Sequence, residues 1–274
     1  MASAEPPASA VTSTTVTSAD GTALAVDAVG RGAPLVLVGG AFNDRSTVAA
    51  LAAELAPRFT VLTYDRRGRG ASDDKGEDYS VANEVDDLAA VVEHAGGRAA
   101  AFGHSSGAIL VLEAALRGVP LHRIALYEPP YRADEHQPAP PPGFYDRLKA
   151  LVAAGDRDGA ASLFLTEAIG VPAEGLAGMK AGPAWPFLLD TAPSLPYDVL
   201  VSAPWQPLRA ERLAGLAAPL LAVHGDRTAP GLAAATRAVA AAVPGAELRV
   251  LPGEDHAVLQ RPAALAPLLA EFFA

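Results

Sequence analysis

The sequence predicts an α/β fold: a mostly parallel, doubly wound sheet interrupted by an inserted helical segment. Three observations carry this. Continuous apolar runs such as Pro34-Leu35-Val36-Leu37-Val38 alternate with segments of helical periodicity, the pattern of strands buried on both faces beneath crossover helices. One strand-to-helix junction carries Gly103-His104-Ser105-Ser106-Gly107. The strand–helix rhythm stops after Glu128-Pro129-Pro130 and resumes near Ala218.

Taken in order, residues 1–10 are rich in Ala, Ser and Pro and are expected to be a flexible N-terminus. Val11–Thr17 and Thr22–Val29, separated by Asp20-Gly21, read as an antiparallel hairpin. Pro34–Val38 reads as a central strand ending at Gly39-Gly40. A helix is expected over Ser46–Leu55, with Asp44 or Ser46 as its N-cap. Phe59–Tyr64 is the next strand, and Val81–His94 an amphipathic helix. The strand before Ser105, the helix after it and a strand over His122–Tyr127 complete the first part of the core. After the break come a strand at Leu220–His224, a helix, a strand over Glu247–Leu251 and a terminal helix from about Pro262 to Phe273. The domain reading is a core of residues 11–130 and 214–274, with 131–213 inserted as a helical cap.

Composition narrows the function. A formal net charge of −10 argues against nucleic acid and anionic membrane surfaces as partners. With no cysteine, thiolate nucleophiles, disulfides and zinc–thiolate sites are excluded. The start of the chain has no basic segment followed by an apolar stretch, so a cytoplasmic location is expected. No run of about 18 apolar residues suggests a membrane span. No close His/Asp/Glu cluster has the spacing of metal ligands, and no cofactor is expected.

The chemistry is read from loops at the carboxyl ends of the strands, where open α/β sheets build their sites. Gly-x-Ser-x-Gly at a strand-to-helix turn puts Ser105 in a strained conformation at a helix N-terminus, where developing negative charge is favoured. A serine nucleophile needs a base, and the base needs an acid to orient it. His256, just past the last strand, is the candidate base. Asp226, in His224-Gly225-Asp226-Arg227, is the candidate acid, with Glu128 at the end of the strand after Ser105 as its rival. Asp255 reads as a loop-turn residue, and His104 as packing beside the elbow. Segment Asp65–Ser72 reads as structural, its Arg and Asp side chains tying the turn together.

These residues resemble the α/β-hydrolase fold superfamily, specifically its capped, bacterial, serine esterase-like members. The likeness covers roughly residues 12–130 and 214–274 and rests on the Ser105 elbow, Tyr64–Ser72, His224-Gly225-Asp226 and Asp255-His256. It implies an oxyanion hole made by the backbone N–H groups of Ser106 and of Ala41, in Gly39-Gly40-Ala41. The family usually has His-Gly-x there, so Gly39 is a departure. The implied activity is hydrolysis of a carboxylic ester or related acyl bond, a lactone or thioester, of an apolar small molecule. Alternatives are a cofactor-free perhydrolase or haloperoxidase, an acyltransferase in small-molecule biosynthesis, and a non-catalytic small-molecule binding protein. Half of the sixteen aromatic residues fall within 131–205. With Phe42, Trp185, Phe187 and Trp205 are therefore candidate pocket residues. Oligomeric state is not legible.

Overall fold

The computed structural model describes residues 10–75, 79–133, 136–137, 139–202 and 208–274. An eight-stranded sheet runs through the molecule in the order β1-β2-β4-β3-β5-β6-β7-β8. The strands are β1 (Thr12–Thr17), β2 (Ala23–Gly30), β3 (Ala33–Val38), β4 (Phe59–Tyr64), β5 (Ala99–His104), β6 (Leu121–Tyr127), β7 (Leu220–Gly225) and β8 (Glu247–Leu251). β1 and β2 pair antiparallel, as do β2 and β4, and every later pairing is parallel. The chain direction of sheet growth reverses at β3, which lies between β4 and β5. Such a switch point opens a crevice at the carboxyl ends of the strands.

The residues account for the layers. Leu35–Val38 of β3 and all six residues of β5 are buried, as unalternating apolar strands require. One face is covered by α2 (Val81–His94), α3 (Ser106–Leu116) and α10 (Pro230–Ala242). The other is covered by α1 (Ala49–Leu55) and α11 (Leu265–Phe272). α3 is apolar nearly all round and is buried from Ser106 through Ala114, so it is a central helix rather than an amphipathic surface one. α1 starts three residues later than the sequence suggests. Asp44 Oδ1 accepts from the Ser46 and Thr47 N–H groups at 2.9 and 3.2 Å and caps the turn ahead of the helix.

Between β6 and β7 lie α4 (Phe144–Ala153), α5 (Arg157–Leu163), a π-helical turn over Phe164–Ile169, α6 (Ala173–Ala181), α7 (Trp185–Thr191), α8 (Leu195–Val201) and α9 (Ala210–Leu213). Phe144, Leu148, Phe164, Trp185, Leu195 and Val199 of this insertion form their own apolar cluster, which also takes in Phe42 from the loop after β3. Among the described residues no helix is long and apolar enough to cross a membrane.

Leu110 of α3 is fully buried against the sheet. Leu110→Ala is expected to cost about 2–5 kcal/mol, read as a lower urea midpoint with an unchanged slope. A midpoint unmoved by this substitution would contradict the central place given to α3.

Candidate active site

The elbow is strained in the way its motif demands. Ser105 has φ 56° and ψ −127°, an unfavourable conformation for a residue with a Cβ. Its neighbours leave room. A Cβ on Gly107 would stand inside 3.0 Å of the Val38 and Gly39 carbonyl oxygens, and one on Gly103 would meet the Ala108 Cα at 2.5 Å. Gly40 is just as constrained, since a Cβ there would meet the Ser105 Cβ at 2.6 Å. The loop after β3 thus packs directly on Ser105 at position 40, whereas the departure itself, Gly39, faces Asn43, whose Cβ a side chain there would meet at 2.8 Å.

The carboxylate in contact with His256 is that of Glu128 and not that of Asp226. His256 Nδ1 lies 2.7 Å from Glu128 Oε2. Glu128 is fully buried at the end of β6. Its Oε2 also accepts from Thr228 Oγ1 at 2.8 Å, and its Oε1 accepts from the Gly225 N–H at 2.9 Å. Asp226, exposed at the end of β7, turns the other way and accepts from the Gly253 N–H at 2.7 Å. It ties down the loop that carries His256 without touching the imidazole. The spacing of the two candidates from His256 did not separate them. Their partners do, and Glu128, with φ 50°, has left the strand conformation at that position. The carboxylate fixes His256 Nδ1 as the protonated nitrogen and leaves Nε2 as the acceptor.

The His256 loop is held from beneath. Tyr127 Oη donates to the Asp255 carbonyl at 2.7 Å. His104 Nε2 lies 2.9 Å from the His256 carbonyl oxygen, so that nitrogen carries a proton and donates. The His104 ring sits between Tyr127 and His256, with centroids 5.8 and 4.7 Å away. Burial, with the His256 imidazole alongside, pushes the His104 pKa down to about 3. Asp255 accepts from the Ala257 N–H at 2.8 Å and from Arg261 at 3.0 Å, as a turn residue would.

Beneath the elbow lies a buried polar cluster. Arg66 holds Glu84 of α2 through Nε and Nη2 at 2.5 and 2.6 Å. Its Nη1 reaches Asp198 of α8 at 2.9 Å. Arg69 Nη2 donates to both Asp198 oxygens at 2.8 and 2.7 Å. Ser106 Oγ donates to Asp198 Oδ1 at 2.6 Å. Burial alone would push up the Asp198 and Glu84 carboxyls. Arg69 and Arg66 beside Asp198, and Arg66 beside Glu84, outweigh it and hold both below the ordinary carboxylate range. Nearby, Asp65 accepts from the Arg45 and Ala71 N–H groups at 2.7 and 2.8 Å. Arg67 pairs with Asp87 through two 2.7 Å bonds. The Asp65–Ser72 segment is thus tied to itself, through Asp65 with Ala71 and Ser72, and to the rest of the molecule, through its arginine side chains. Neither Asp198 nor Glu84 was singled out by the sequence.

A cavity of about 810 Å³ opens over Ser105 and His256, with Ala41 and Ser106 also on its wall. Phe42 lines it, with Phe164, Ile169 and Met179 from the insertion. Trp185 and Phe187 do not. Trp185 is buried in the insertion's own core, its ring N–H 3.1 Å from Asp158 Oδ1. Trp205 lies outside the described residues. Phe42 has φ 57° and meets Phe164 edge-on at 5.6 Å, which closes the apolar side of the cavity. Among the described residues no three His, Asp or Glu side chains converge as metal ligands.

The model of the alpha/beta hydrolase family matches residues 35–268. The chain belongs to the alpha/beta hydrolase family. It is a hydrolase of that fold. An alpha/beta hydrolase from Sphaerobacter thermophilus DSM 20745 is 43% identical with a TM-score of 0.90, over 95% of this chain and all of that one. An esterase from Rhodococcus sp. ECU1013 is 21% identical, TM-score 0.71, over 95% of this chain and 98% of that one. An enol-lactonase from Burkholderia xenovorans LB400 is 20% identical, TM-score 0.74, over 94% and 98%. At those identities the last two show the fold alone. No curated protein matches the chain.

The depressed His104 pKa sets a pH dependence. An unfolded histidine binds its proton below about pH 6.5, whereas folded His104 stays neutral down to about 3. Across that window the unfolded state holds the extra proton, so His104 takes stability away as pH falls, by up to ~1.4 kcal/mol per pH unit. His104→Gln is expected to flatten the denaturation free energy between pH 6 and 4 relative to wild type. Parallel wild-type and variant curves would refute a neutral, buried His104.

Proposed function

We propose that this hydrolase cleaves a carboxylic ester, or a related acyl bond such as a lactone or thioester, of a small and largely apolar molecule through an acyl-enzyme. The reading is carried by the His256–Glu128 contact of 2.7 Å on the same cavity wall as the strained Ser105. Ser105 Oγ attacks the carbonyl carbon. His256 Nε2 takes the hydroxyl proton and returns it to the leaving oxygen or sulfur, breaking the acyl bond. Glu128 fixes the imidazole tautomer and stabilises the imidazolium. The N–H groups of Ala41 and Ser106 hold the developing oxyanion. Water, activated by the same His256, then attacks the acyl-enzyme, releases the acid and restores Ser105. No step requires a metal or organic cofactor. A small-molecule partner fits the cavity. The apolar side made by Phe42, Phe164, Ile169 and Met179 favours hydrocarbon in the substrate over charge.

Wild type is expected to react with a fluorophosphonate probe and gain one adduct mass, which Ser105→Ala abolishes. It should also turn over p-nitrophenyl esters. Absence of labelling and of turnover by the wild type would overturn the reading. The acid is tested separately. Glu128→Gln should lower kcat by roughly 10²–10⁴-fold by removing the tautomer control. Asp226→Asn should leave kcat within a few fold, because Asp226 bonds a loop N–H and not the base. The reverse ranking would restore Asp226 as the acid.

A further inference from the structure

The buried cluster beneath the elbow reaches both backbone groups that the proposed mechanism assigns to the oxyanion. On one side, Asp198 Oδ1 accepts from Ser106 Oγ at 2.6 Å, and Arg66 Nη1 lies 3.3 Å from the same hydroxyl. Ser106 is the first residue of α3, so this bond anchors the residue whose N–H is one donor. On the other side, Arg69 Nη1 donates to the Gly40 carbonyl, and to the Asn43 carbonyl at 3.1 Å. The Gly40 carbonyl and the Ala41 N–H belong to one planar trans peptide and point in opposite directions. An anchor on the carbonyl therefore sets where the Ala41 N–H points. The same carbonyl also accepts from the Asn43 N–H at 3.2 Å, and the Gly40 N–H, which belongs to the preceding peptide, is tied to Asn43 Oδ1 at 3.0 Å, so the peptides on both sides of Gly40 are held.

One side chain joins the two halves. Asp198 receives Ser106 directly and Arg69 through two bonds, at 2.8 and 2.7 Å. It lies on α8, within the insertion and 92 residues from Ser106. We propose that Asp198 is a positioning residue of the oxyanion site: the insertion sets, through Ser106 and Arg69, the direction of the Ser106 and Ala41 N–H groups. The insertion then does more than wall the cavity, because the oxyanion site is complete only while α8 is docked. Asp198 lines the cavity but its side chain bonds Arg66, Arg69 and Ser106 rather than Ser105 or His256, so its effect is assigned to the transition state. Loss of a whole oxyanion donor costs about 10²–10³ in kcat, so misdirecting donors that remain present should cost less.

This inference rests on the ester-hydrolase reading, and the experiment separates their failures. Asp198→Asn, Ser106→Ala and the double variant are assayed with p-nitrophenyl acetate and butyrate, with phosphonylation rates at Ser105 and thermal melts alongside. Asp198→Asn is expected to lower kcat roughly 10–100-fold with KM changed less than about threefold, the signature of an interaction realised in the transition state. Ser106→Ala strands no charge, since both arginines still hold Asp198, and should lower kcat by a smaller factor in the same pattern. The double variant should be no slower than about the Asp198→Asn variant, because both changes cut one connection. Phosphonylation should slow in the same order. Normal kcat in both single variants, or a fall in melting temperature alone, overturns the positioning role. Multiplicative effects in the double variant do so as well. If Asp198→Asn does not fold, the kcat and phosphonylation rate of Ser106→Ala decide the question. A wild type that neither labels nor hydrolyses fails at the earlier reading, whatever the variants do.

Discussion

Four buried charges hold the working end of this molecule together: Arg66, Arg69, Glu84 and Asp198, each almost sealed from solvent. They sum to zero, and their bonds run in a closed set from α2 through the loop after β4 to α8 and α3. A buried ion pair is weak evidence for stability, because desolvation offsets the attraction. What such a cluster does supply is a definite arrangement, since any displaced member leaves an unpaired charge in an apolar interior. Tyr79 adds to this by donating to Glu84 at 2.5 Å while its ring stacks on Tyr197 of α8 at 3.9 Å. The insertion is thus joined to the core by charge and by aromatic contact at the same corner.

That corner sits beneath the elbow, where the backbone is least relaxed. Ser105, Glu128 and Phe42 are the non-glycine residues with positive φ among those described, and all three lie at the carboxyl ends of strands around the cavity. The strain is maintained by fixed surroundings: Gly40 against Ser105, the β7 loop on Glu128, the insertion's apolar core on Phe42. Strain of this kind persists where neighbouring contacts over-determine the geometry, and here those contacts come from four separate strands and the insertion.

Much of this was legible in the residues. The order of strands and helices follows from period and punctuation, and Val81–His94 has the same bounds in sequence and structure. Ser105 and His256 are marked by local motif and position, so they could be named without coordinates. The carboxylate that contacts His256 could not be named the same way. Glu128 and Asp226 both follow a strand and both precede His256, and what separates them is where the fold sends each side chain: Glu128 to the imidazole, Asp226 to the Gly253 N–H. The sequence reading is Asp226, with Glu128 its rival; a charged residue directly after the buried end of β6 and before Pro129-Pro130 is the signal that could have raised Glu128. The aromatic count misled for a different reason. Trp185 is spent on the insertion's own packing, and a small helical layer needs such a core before it can offer a wall to a ligand.

Asp198 was the least legible residue of all. It sits in a helical stretch with nothing beside it in sequence to mark it, and its partners Arg66 and Arg69 lie 132 and 129 residues away. No short-range pattern encodes a pairing at that distance. The arginines do carry a trace of it, since a turn holding Arg66, Arg67 and Arg69 contains more cationic charge than its own Asp65 can neutralise. Buried arginine demands a carboxylate. Arg67 finds Asp87, Arg66 finds Glu84, and Arg69 finds Asp198 of the insertion. Charge balance in the core is thus met by the return of the insertion to the elbow, and that return places α8 against the candidate active site.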